Sequence, residues 1–86
     1  MSTNRSAVVG AQVGLHARPA SIFVQAVAAT GSRVSLSYGD RTVNAASILG
    51  VLSLGVPQGA TVVLETDDDR VLDALVELLE SGLNDS

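Results

Sequence analysis

The sequence predicts a two-layer α+β sandwich, a sheet of four strands covered on one face by three helices. Three observations carry this expectation. Period-2 alternation recurs in short stretches bounded by turn-forming residues. Longer stretches carry apolar residues at helical spacing. The two patterns succeed one another in the order β-α-β-β-α-β-α, while periodicity leaves the order of strands within the sheet open.

Residues 6–10, Ser-Ala-Val-Val-Gly, read as a short first strand. A helix is expected over 17–29, with Ala20, Phe23, Val24 and Val27 on one face and Thr30-Gly31 as its stop. Residues 33–38 alternate strictly, with Val34, Leu36 and Tyr38 facing one way. Gly39-Asp40 then makes a two-residue turn into a strand over 41–45, so these two strands pair antiparallel. Ser47 caps a short apolar helix of Ile48, Leu49, Val51, Leu52 and Leu54, closed by Gly55. Pro57-Gln58-Gly59 is a turn, and residues 60–66 form a strand with Val62 and Leu64 on one face. Asp67, Asp68 and Asp69 open the last helix, where carboxylates complement the N-terminal dipole. Val71, Leu72, Leu75, Leu78 and Leu79 form its apolar side, Arg70, Asp73, Glu77 and Glu80 the other, and Gly82 ends it.

The candidate site lies between the first strand and the first helix, in Val13-Gly14-Leu15-His16-Ala17-Arg18-Pro19-Ala20-Ser21. Gly14 sits where a strand must swing into a helix. Pro19 falls in the first helical turn, where its missing N–H costs nothing. His16, the single histidine of the chain, therefore stands at or next to the N-cap, above backbone N–H groups that have no partner inside the helix. A neutral imidazole in such a place can act as a nucleophile. A phosphoryl group captured there would meet N–H donors and a favourable dipole. Arg18 can add a charge-assisted contact to its oxygens. Such an arrangement suits transient phosphorylation, although a histidine at a helix start is by itself more often structural.

Composition narrows the alternatives. The 86 residues fit one domain, 1–86, and the 47% apolar content suffices for a core. A chain this short buries roughly 60–65% of its unfolded surface, so modest stability is expected. There is no cysteine and one histidine, which argues against disulfides, thiolate sites and zinc; no metal or cofactor is expected. Five arginines, no lysine and a net charge of −4 argue against nonspecific nucleic-acid or anionic-membrane binding. No stretch resembles a signal peptide or reaches the roughly 20 apolar residues of a membrane span. A soluble cytoplasmic protein is the expectation.

Gly-Leu-His-Ala-Arg-Pro-Ala, residues 14–20, resembles the phosphorylation signature of the HPr family, the histidine-containing phosphocarriers of the phosphoenolpyruvate-dependent sugar phosphotransferase system. A second stretch, residues 43–55 around the short helix, looks like the second HPr signature, and the likeness covers nearly the whole chain. The resemblance implies an open-faced sandwich with antiparallel strand order 1-4-2-3. It implies that His16 accepts a phosphoryl group through Nδ1 from phospho-enzyme I and passes it to enzyme IIA components for sugar uptake and phosphorylation. Arg18 and the N–H groups of Ala17 and Arg18 would stabilise the phosphoryl oxygens. The chain would be a carrier, not an enzyme, and a monomer by family habit.

The resemblance also implies docking of enzyme I and enzyme IIA on the first helix and on the short apolar helix, with Ala20, Ile48, Leu49 and Leu52 as contacts. Ile48, Leu49, Val51 and Leu52 cannot all face inward on two turns; Ile48 and Val51 remain candidates for the core, and Leu49 and Leu52 are expected outside. In many Gram-positive members the serine matching Ser47 is phosphorylated by an HPr kinase/phosphorylase and then read by a transcriptional regulator. Other lineages carry that serine with no kinase, and an N-cap role alone accounts for it. Three departures from the family stand out. Val13 replaces a small polar residue of many relatives, Ala46 stands where they often carry lysine, and no lysine marks the first helix. Arg33, Arg41 and Arg70 are expected on solvated surface. Two other functions stay open: an HPr-like regulatory phosphoprotein of a nitrogen-type or dihydroxyacetone-kinase branch, and a binding domain in which His16 is inert. Hydrolysis is poorly supported, because no serine or carboxylate set accompanies the histidine.

Overall fold

A computed structural model describes residues 3–11 and 14–81; Val13 and the Gly82 helix stop of the sequence reading lie outside them. The elements run β1 (Thr3–Val8), α1 (Ala17–Thr30), β2 (Val34–Tyr38), β3 (Arg41–Asn44), α2 (Ile48–Ser53), β4 (Thr61–Thr66) and α3 (Asp69–Glu80). The expected order of elements holds. Among the described residues the strands form one antiparallel sheet in the order β1-β4-β2-β3, as the HPr resemblance implied.

The alternating strand residues explain the two faces. Val34 and Leu36 of β2, Val62 and Leu64 of β4 and Ala7 of β1 are fully buried. Their neighbours Ser35, Ser37, Val63 and Glu65 share the other face and form the registered pairs Ser35↔Glu65 and Ser37↔Val63. Phe23 and Val27 of α1 and Leu72, Leu75 and Leu79 of α3 close over the buried face. α3 is the more clearly amphipathic helix, with Asp73, Glu77 and Glu80 exposed opposite its leucines. Gly31 stops α1 in the left-handed conformation at φ 71°, its N–H bonded to the Ala28 carbonyl.

The first strand is displaced from the sequence reading. β1 begins at Thr3 and ends at Val8, earlier than the 6–10 expected. Polar Thr3, Asn4 and Arg5 join the sheet because Thr66, Glu65 and Leu64 of β4 offer them a continuous register, which outweighs their low apolar content. Val9 lies past the strand yet is fully buried, its N–H bonded to the Ala60 carbonyl at 2.9 Å. Arg41 is exposed, as the sequence reading has it, and its guanidinium also donates to the Ser53 carbonyl at 3.0 Å and to Ser53 Oγ at 3.4 Å. The cation thus meets the negative end of α2 and ties that helix to the β2–β3 hairpin. Among the described residues no helix is long and apolar enough to cross a membrane.

Candidate functional site

The stretch before α1 is shaped by backbone contacts. Gly14 has φ 73°, a conformation open to glycine, and its N–H donates to the Ala11 carbonyl at 2.9 Å. Leu15 is buried, and its N–H donates to the Val56 carbonyl at 2.8 Å. His16 follows in extended conformation (φ −95°, ψ −169°) as the N-cap of α1. Its carbonyl accepts the Ala20 N–H at 2.7 Å, the first bond of the helix. Its side chain makes no capping hydrogen bond and is exposed.

α1 therefore opens with an imidazole where Ser, Thr, Asp or Asn would ordinarily accept first-turn N–H groups. No acidic residue occupies that turn. The other two helices begin differently. Ser47 Oγ accepts from Gly50 N–H at 3.1 Å, and Asp68 Oδ1 accepts from Arg70 N–H at 3.0 Å. The first turn of α1 thus brings no carboxylate of its own to its partial positive charge, and the N-cap there is His16. Arg18 is exposed one residue after Ala17, in the same first turn. Among the described residues no group of three or more His, Cys, Asp or Glu side chains is placed to hold a metal ion.

The expected docking residues separate into two sets. Leu49 is 78% exposed and Ile48 and Leu52 are each 37% exposed, whereas Val51 of the same helix is completely buried. α2 thus presents three apolar side chains to solvent, which resolves the open choice for Ile48 and Val51. Ala20 requires correction. It is fully buried, because Ala20, Phe23 and Val27 form the i, i+3, i+7 stripe of α1 that faces the core, so its side chain cannot contact a partner. Ser47 is half-buried, and its hydroxyl serves as the cap of α2.

An open-faced α+β sandwich that presents a lone histidine at a helix start is the setting in which the comparisons with known proteins fall. The family model for the PTS HPr component phosphorylation site matches residues 3–81. Phosphocarrier protein HPr of Streptomyces coelicolor is 47% identical over 81 residues, covering 90% of this chain and 87% of that protein. Among solved structures, HPr-C-His from Thermoanaerobacter tengcongensis superimposes with a TM-score of 0.88 at 37% identity, covering 98% of both chains. The phosphocarrier protein HPr of Bacillus anthracis str. Ames gives 0.86 at 30% identity, covering 91% of this chain and 96% of that one. The chain belongs to the HPr family, the phosphocarriers of the phosphotransferase system.

Sequence reasoning missed two contributors to the site. Arg41 holds α2 by its C-terminal end, and the Val56 carbonyl holds the residue before His16. Only Gly14 and Pro57 hinted at the second, as signs of a tight backbone approach; nothing in the sequence pointed to the first.

Proposed function

We propose that His16 is the phosphoryl acceptor of a relay: it takes the group from phospho-enzyme I and passes it to enzyme IIA components, which serve sugar uptake and phosphorylation. One observation carries the reading. A member of a histidine-phosphorylated family contains a single histidine, and that histidine is an exposed N-cap with no side-chain capping bond.

In the transfer a ring nitrogen of His16 attacks phosphorus in line, and the N–P bond forms as the donor's own phosphohistidine P–N bond breaks. Little covalent machinery is needed, since positioning and electrostatics carry most phosphoryl transfers. The N–H groups of Ala17 and Arg18 belong to the first turn of α1, whose dipole favours an anion. The Arg18 guanidinium adds charge-assisted contacts to the phosphoryl oxygens. Ile48, Leu49 and Leu52 supply the apolar surface on which both partners dock, and Arg41 steadies that helix from behind.

Incubation with phosphoenolpyruvate and enzyme I, followed by intact-mass measurement, tests the reading. A phosphate-sized increment is expected on the parent protein, absent from His16→Ala and discharged on adding enzyme IIA. An increment that persists in His16→Ala would overturn the assignment.

A further inference from the structure

Leu15 N–H and Val56 C=O join two segments that are far apart in sequence, and each segment leads to half of the proposed site. On one side the next residue is His16. On the other, α2 closes with Leu54 N–H on the Val51 carbonyl and Gly55 N–H on the Leu52 carbonyl, both at 3.2 Å. Only Ser53, Leu54 and Gly55 separate Leu52 of the exposed apolar set from Val56. Leu15 and Val56 are both essentially buried, at 1% and 0% exposure, so their hydrogen bond is shielded from water. Gly14 makes the approach close. A Cβ on it would overlap the Val56 carbonyl oxygen and sit 2.8 Å from Pro57 Cα.

We infer that the Val56 carbonyl, seated against Gly14 and bonded to Leu15 N–H, is a positioning group that sets where the His16 ring stands relative to the docking surface of α2. The inference rests on the phosphocarrier reading above. A partner held on Leu49 and Leu52 must find His16 in line with its own reacting atom, and misplacement by about 1 Å can cost up to about a hundredfold in rate. A short, buried, hydrogen-bonded link is a physical means of holding that relation.

Two variants and a control test it. Chemical synthesis of the full chain with an ester oxygen in place of the Leu15 amide N–H deletes one donor and leaves every side chain unchanged. Gly14→Ala forces the two segments apart. Gly39→Ala is the control, because Gly39 also has positive φ (64°) but a Cβ there would meet nothing within 4 Å. As substrates of enzyme I, the ester chain should show kcat about tenfold lower with KM unchanged, Gly14→Ala a larger loss, and Gly39→Ala parental values. In NMR spectra the His16 resonances of the ester chain should move while the Leu49 and Leu52 methyls stay in place. A folded ester chain with kcat within twofold of the parent overturns the inference, as does a rise in KM alone. Should Gly14→Ala fail to fold, the ester chain decides. If the parent itself takes no phosphate, the functional reading fails, and the NMR comparison still decides whether this link positions His16.

Discussion

Helices α1 and α3 both bury an apolar stripe against the same core, through Ala20, Phe23 and Val27 in one and Val71, Leu72, Leu75 and Leu79 in the other. Their first turns are built on opposite principles. α3 supplies its own anions: Asp68 accepts the Arg70 N–H, and Asp69 follows and accepts from the Thr3 hydroxyl at 2.7 Å. α1 supplies an imidazole that caps nothing, and no acid follows it. A good N-cap contributes about 1 kcal/mol. One helix takes that contribution and the other forgoes it, at the one place where the proposed chemistry brings an anion from outside.

Exchanging the two kinds of start should have the largest effect. His16→Asp gives α1 the acidic start of α3. Phosphorylation by phospho-enzyme I should vanish from the intact-mass spectrum, while urea unfolding should show a gain of about 1 kcal/mol. A variant no more stable than the parent would break the comparison. The reverse change is milder. Asp68→Ala should cost about 1 kcal/mol in the same unfolding measurement and leave the rate of phosphorylation as it was; a slowed transfer would mean that the two helix starts are not separate in function. The smallest effect concerns the ion pair of Arg5 in β1 with Asp73 in α3, whose side chains are 49% and 64% exposed. Arg5→Ala should cost less than about 1 kcal/mol, and added salt should shrink the difference further. A larger loss would show α3 to depend on its charges beyond its first turn.

What the residues made legible follows the range of the physics involved. The alternation of Val34 and Leu36, the apolar stripe of α3 and the cap at Ser47 depend on neighbours a few positions away, and each is found where the pattern placed it. His16 at the N-cap is of the same kind, signalled by Gly14 before it and Pro19 after it. Ala20 shows the limit. Its spacing with Phe23 and Val27 already put it on the core stripe, but the family's docking surface drew it outward, and burial decides for the stripe. The early start of β1 escaped notice because Thr3, Asn4 and Arg5 look like a polar terminus until β4 is there to pair with them. Arg41 likewise has a role only when α2 has folded back to bring Ser53 to it.

By itself, then, the sequence determined the elements, their order and the histidine that stands at the start of α1, because side-chain periodicity, turn chemistry and helix capping act over a handful of residues. The tertiary structure decided which three apolar side chains of α2 face solvent and which carbonyl braces the residue before His16. Those outcomes join positions tens of residues apart, and no local preference specifies such a meeting until β4 has taken its place between β1 and β2.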